Sequence, residues 1–215
     1  MNARRSILLV TALGAALLLG GCNLFQPRVP LRPRLGDIVT DYSTAAATLE
    51  TMARAIEARA AGNSPSAYVG GLADSIRAGD DQTFIAYFDP AVVTASGRTP
   101  PSEPWGPERE RQLFVRLPEL SENSYSFAWL QDEQHPNDED PAPNVKVLHR
   151  QYLLTATPEG GDPETLVTGY ADLTFIKSKS GGWVIARWQD RFDPAVGPSP
   201  SSGIQSFSAL RLGQI

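Results

Sequence analysis

The hydrophobic period of this chain changes near residue 124, and that change constrains the fold more than any other feature. From there Tyr125, Phe127 and Trp129 fall at every second position, as do Val145, Val147, His149, Gln151 and Leu153. Thr165 to Ile176 and Trp183 to Phe192 are rich in β-branched and aromatic residues. Both are strand patterns. Gly160-Gly161-Asp162-Pro163 and Ser180-Gly181-Gly182 supply the turns between the last three strands. Before the change the spacing is helical. Leu49, Met52, Ala53, Ile56 and Ala60 recur at three- and four-residue steps, which predicts a helix from about Thr44 to Ala61, ended by Gly62-Asn63. Ser64-Pro65 opens a second, short helix with Tyr68, Val69, Leu72 and Ala73 inward. A strand is expected over Gln82 to Phe88, from Phe84, Ala86 and Phe88, and a third helix over Glu108 to Leu117. Helices followed by a run of antiparallel strands give the α+β class.

The first 21 residues have a different character. Arg4 and Arg5 precede the apolar run Ile7 to Leu19, and Gly20 and Gly21 follow. The run is shorter than the ~20 residues of a comfortable membrane span, so residues 1–21 read as a signal peptide. Leu19-Gly20-Gly21-Cys22 resembles the bacterial lipoprotein lipobox, which implies that Cys22 is acylated and becomes the first mature residue. Two or more acyl chains anchor a protein stably where one does not. The alternative for Cys22 is a small buried thiol. By the same resemblance, Asn23 in place of Asp points to the outer membrane, facing the periplasm. Cys22 is the single cysteine of the chain, so neither an intrachain disulfide nor a cysteine zinc site is available.

Residues 22–43 continue as a tether, with Pro27, Pro30 and Pro33 interleaved with Arg28, Arg32 and Arg34. Proline at that density favours extended chain. Residues 44–193 are left for one domain. Residues 194–215, rich in Pro, Ser and Gly, form a tail that docks late or wraps a partner. The formal net charge is −5, and loss of Arg4 and Arg5 makes the remainder more acidic, which argues against a nucleic-acid partner.

The order helix, short helix, strand, helix and four long strands resembles the nuclear transport factor 2-like superfamily, of SnoaL and ketosteroid-isomerase type. Gly169-Tyr170-Ala171-Asp172-Leu173-Thr174-Phe175 and Gly182-Trp183-Val184-Ile185-Ala186-Arg187-Trp188 carry the resemblance. It implies N-terminal helices packed on a curved antiparallel sheet that forms a cone, and it spans enzymes as well as binding modules, so fold does not settle function. In its enzymes an Asp or His inside the cone acts as general base. The matching candidates are His149, Asp172 and Asp190, with Tyr152, Tyr170 and Trp188 lining a ligand cavity. The bland reading of His149 is a surface or sheet-packing histidine, and that of Asp172 and Asp190 is cross-strand ion pairs on a solvated face.

Gln131 to Pro143 holds five acids and His135, but its spacing is not that of a calcium loop, and it reads as a solvated hairpin loop. No phosphate-binding glycine loop, Gly-x-Ser-x-Gly or His-Glu-x-x-His occurs, so neither cofactor nor metal is expected. The expectation is therefore a lipid-anchored envelope protein whose cone binds a small apolar ligand or an envelope protein without catalysis. The alternative is an isomerase- or hydrolase-type enzyme using His149 or Asp172/Asp190 as base.

Overall fold

The alternating half of the chain forms one curved sheet in the computed structural model, which describes residues 38–58, 65–116, 124–158, 160–198 and 203–213. The expectations for residues 1–21, Cys22, the proline tether up to residue 37, Ala60, the Gly62-Asn63 stop, Ser64 and Leu117 fall outside these. Six strands are present among the described residues: β1 (Ile85–Tyr87), β2 (Ser124–Gln131), β3 (Glu139–Ala142), β4 (Val145–Thr157), β5 (Glu164–Lys177) and β6 (Trp183–Arg191). Their order is β1-β6-β5-β4-β2, and β3 also pairs with β4. All pairings between these strands are antiparallel except that of the short β1, which runs parallel to β6. The strand expected over Gln82 to Phe88 is shorter than its alternation suggests, because a 3-10 turn occupies Asp80–Gln82.

Five helices accompany the sheet among the described residues: α1 (Ala45–Ala58), α2 (Ser66–Gly70), α3 (Pro90–Ser96), α4 (Pro107–Arg116) and α5 (Phe207–Gly213). Thr44 caps α1 by accepting the Ala47 N–H at 3.0 Å. The predicted stripe of Leu49, Met52 and Ile56 is buried, and Thr48 donates to the Trp183 carbonyl at 2.8 Å, tying α1 to β6. Trp129 closes the other side by donating from Nε1 to the Leu49 carbonyl at 3.1 Å.

Two register shifts set which residues face this core. One lies between Leu154 and Thr155, the other between Thr174 and Phe175. A bulge bends a strand and re-aims the side chains beyond it. Here the second puts Phe175 opposite Ile185 while Thr174 remains opposite Arg187, so both apolar side chains stay inside. Gly169 meets a different demand. A Cβ there would fall 2.2 Å from the Tyr152 hydroxyl, so only glycine leaves room for that phenol.

Helix α3 owes its start to Asp89-Pro90, an N-cap followed by proline at the first helical position. Asp89 is buried; its carboxylate accepts the N–H of Ala91 at 2.7 Å and of Val92 at 3.2 Å, and through its other oxygen the Phe192 N–H at 3.0 Å. Asp89→Ala is expected to destabilise by about 2 kcal/mol, the upper end of a cap substitution, because the Phe192 donor is orphaned as well. Asp89→Asn, which keeps one acceptor, should lose less. Urea denaturation of the three proteins checks this ordering.

Within the segment 194–215, the described helix α5 is docked: its Phe207, Ser208, Arg211 and Leu212 are buried.

Candidate binding site

Strand alternation directs Tyr152 of β4 and Trp188 and Asp190 of β6 to the helix-covered face, where all three are fully buried. Helix α5 packs onto this face. The Phe207 ring centre lies 4.9 Å from Tyr152 and 4.9 Å from Trp188, in edge-on contacts. One turn later the Arg211 guanidinium sits 4.6 Å over the Trp188 ring. Its charge is met by Glu110 of α4, with Nε donating to Oε2 at 3.0 Å and Nη2 to Oε1 at 2.9 Å. Neither side chain is exposed at all (0% each). Tyr68 and Trp105 also donate to the Glu110 carboxylate, at 2.8 and 2.6 Å. Asp190 is engaged in the same way, accepting from the Tyr152 hydroxyl at 2.8 Å and from the Ser208 N–H at 2.6 Å, while the Phe207 N–H donates back to the Tyr152 oxygen at 3.1 Å.

The two buried carboxylates differ in their electrostatics. For Glu110, burial favours the neutral acid, but Arg211 and the donors Tyr68 and Trp105 outweigh it and hold the carboxyl below its usual range. For Asp190, burial wins over Arg211, Ser208 and Tyr152, and the group is pushed up. Burial and the adjacent carboxylates raise Tyr68 and Tyr152 well above the ordinary phenol range, so both stay protonated and donate. Trp188 Nε1 and Arg211 Nη1 have no hydrogen-bond partner among the described residues. The interior is thus an aromatic box with an ion pair, filled from the chain's own end.

The other candidates lie elsewhere. Asp190 pairs in register with Ala171 and Asp172 with Gln189, so the two aspartates project from opposite faces of the sheet. They cannot act as the catalytic pair that adjacency on neighbouring strands suggests. Nor do they share a solvated face, since Asp190 is buried. The expected cavity trio is split as well: Tyr152 and Trp188 are inside, whereas Tyr170 is on the outer face beneath Arg191, 5.5 Å from ring centre to guanidinium.

His149 is on the outer face with Asp172, its partner in register, and its Nδ1 lies 2.7 Å from Asp172 Oδ1. Arg191 donates to that oxygen at 2.9 Å and to Asp132 at 2.7 Å. Asp132, from the loop expected to be solvated, is buried. Burial alone would raise its carboxyl, but bonds from Arg191, His135 and the Gln134 N–H bring it down to about 2. The rest of that loop is tied down by Asp138 to Arg150 and Asp140 to Lys146, at 2.6 and 2.7 Å.

A surface hollow of about 360 Å3 lies among Tyr42, Arg77, Ser178, Ser180 and Gly182; a second, about 10 Å3 beside Thr168 and Gln205, is no larger than one water. Neither is lined by His149, Asp172 or Asp190. Sequence reasoning does not single out Glu110 or Arg211, and no local signal distinguishes either from a surface charge on an amphipathic helix. Among the described residues, no helix is long and apolar enough to cross a membrane.

No family model matches the sequence, and no curated protein matches it. Among solved structures the chain is similar to ActVI-ORFA from Streptomyces coelicolor, with a TM-score of 0.49 and 7% identity over 69% of this chain and 93% of that one. It is also similar to a ketosteroid isomerase-like protein from Erwinia carotovora atroseptica, with a TM-score of 0.41 and 13% identity over 71% and 97% of the two chains. A protein of unknown function from Mycobacterium tuberculosis gives a TM-score of 0.45 and 15% identity over 69% and 73%. The likeness is one of fold.

Proposed function

We propose that this chain is a lipid-anchored protein of the bacterial envelope, held at the outer membrane through Cys22, whose domain recognises its target on its exterior and carries out no reaction inside the cone. The observation that supports the non-catalytic reading is the closure of the interior by α5, with Arg211 locked to Glu110 and Phe207 seated between Tyr152 and Trp188. A general base needs a substrate within hydrogen-bond reach, and the interior carboxylate Asp190 already commits its oxygens to Tyr152 and Ser208. An enclosed small apolar ligand would compete with Phe207 for the same space, which favours a partner bound from outside, such as an envelope protein.

The anchor rests on the lipobox resemblance at Leu19-Gly20-Gly21-Cys22. Metabolic labelling with a palmitate analogue should mark the wild-type chain, while Cys22→Ser should remain unlabelled and leave the membrane fraction. Equal labelling of the two would remove the anchor from this account. Asn23→Asp tests the destination, since it should shift the protein from the outer to the inner membrane.

A further inference from the structure

We infer that the end of the sheet around the β5–β6 turn is a surface for an anionic phospholipid bilayer, with the hollow beside Arg77 taking a phosphate headgroup. This rests on the anchored reading for what brings a bilayer near, and adds which side of the domain meets it. The sequence holds three lysines in 215 residues, and the fold brings all of them to this end. Lys146 stands at the start of β4, Lys177 closes β5, and Lys179 lies in the turn that leads to β6. Trp183 gathers the first two, with Lys146 Nζ 5.5 Å and Lys177 Nζ 5.9 Å from its ring centre. Arg77 joins them, since its carbonyl accepts the Lys179 N–H at 2.8 Å.

Part of this charge stays available. Lys146 is paired with Asp140 at 2.7 Å and Arg77 with Asp74 at 3.0 Å. Lys177 and Lys179 are exposed and in no ion pair among the described residues. In a chain of formal net charge −5, such a gathering of lysines sets this end apart. Basic side chains beside an anionic leaflet are each attracted to it, and the attraction sums while they lie within a Debye length.

Apolar contact is supplied at the same place. Ile76 and Val39 are the most exposed large apolar side chains among the described residues, at 82% and 75%. Each adjoins a residue that lines the hollow, Ile76 next to Arg77 and Val39 next to Thr40. Exposed apolar groups bordering cations are the composition of an interfacial surface, in which the apolar part enters the headgroup region. The hollow, about 360 Å3, is of the size of a small-ligand site. Ser178 and Ser180 lie Oγ to Oγ at 3.0 Å, so one hydroxyl donates to the other and leaves that one free to donate to a phosphate oxygen. The described chain also enters the domain here, where the Tyr42 carbonyl accepts the Trp183 N–H at 2.7 Å. Cys22 precedes Ile38 by sixteen positions, at most about 60 Å of extended chain, so an anchor there keeps this end near enough for weak contacts to add.

The test uses full-length chain from cell-free synthesis, its single cysteine Cys22 coupled to a maleimide lipid in vesicles, so that attachment does not depend on acylation in the cell. The vesicles are phosphatidylcholine alone or with one third phosphatidylglycerol. Because the only lysines are at this end, acetylation by N-acetoxysuccinimide, read by mass spectrometry, reports on it directly. Lys177 and Lys179 should react about three-fold or more slowly on the anionic vesicles, and about 0.5 M salt should remove the difference. Val39→Glu with Ile76→Glu, both at exposed positions, should react equally fast on the two vesicle types while melting like the wild type. Inorganic phosphate without vesicles should leave the rates unchanged. Equal wild-type rates on the two lipids would overturn the membrane surface and leave this end to a protein partner. Equal slowing in the double variant would reduce the effect to general surface potential, and equal slowing by inorganic phosphate would make the hollow a free-anion site; either overturns the proposal. Palmitate labelling reads the anchor separately, so each can fail alone.

Discussion

Arg211→Met is expected to destabilise the domain by about 3–5 kcal/mol, since it removes one partner of a fully buried ion pair and strands the other. Glu110 would keep Tyr68 and Trp105 as donors but lose the only cation within bonding distance among the described residues. For a domain whose whole stability is about 5–15 kcal/mol, this is a large fraction, and the melting temperature should fall by about 10 °C. The loss should depend on pH with a definite sign. In the wild type the Glu110 pKa lies below its ordinary value of 4.5, so the pair's contribution is complete above that value and fades as pH falls through the lowered one. In Arg211→Met the buried acid, now without its cation, has a raised pKa, and stability declines as pH rises above 4.5. The difference between the two proteins is therefore largest near neutrality and shrinks in acid. Adding Glu110→Gln to Arg211→Met removes the stranded charge and keeps one amide oxygen to accept the Trp105 N–H, with the amide NH2 able to donate to the Tyr68 hydroxyl, and should recover at least half of the loss. Chemical denaturation at pH 7 and pH 4 measures all of these differences.

Phe207→Ala is the second substitution with a large expected effect, also about 3–5 kcal/mol, the range for emptying a buried aromatic site. The ring contacts Tyr152, Trp188 and, at 6.3 Å, Phe127, so three aromatic rings would lose the neighbour they share. The backbone of α5 has its own ties: the Phe207 N–H bonds to Tyr152 and the Ser208 N–H to Asp190, and neither involves the deleted ring. The helix should remain docked and a cavity should persist beneath it. Apolar cavities of about 150 Å3 in protein cores stay dry and take up benzene-sized molecules. Thermal unfolding with and without indole reads both effects: Phe207→Ala should melt lower than the wild type and regain part of the loss when indole is added.

Much of this architecture is written in local periodicity. Leu49, Met52 and Ile56 give α1, and Tyr125, Phe127 and Trp129 give β2, because burial on one face leaves a period that survives whatever the partner is. The interior site is different in kind. Nothing in Phe207-Ser208-Ala209-Leu210-Arg211 says that the arginine is buried, since its partner Glu110 is 101 residues away in sequence. Seven residues between Pro/Ser-rich chain and the end of the sequence also give too short a pattern to separate a docked helix from a tail. Asp172 and Asp190 are legible as neighbours on adjacent strands, but their faces depend on pairing register, which places Asp190 opposite Ala171. The meeting of His135 with His149, ring centres 5.5 Å apart, likewise depends on β3 folding back along β4, and four residues containing Pro141 carry almost no strand signal.

The central claim is that the cone is closed by its own C-terminal helix, and the most direct test is titration of the folded wild-type domain with indole, read by the fluorescence of Trp188 and its neighbour Trp129. No saturable change should occur in the wild type, whereas Phe207→Ala should bind about one indole per chain. Stoichiometric binding to the wild type, abolished by blocking the space around Trp188, would contradict the closure and return the interior to the status of a ligand site.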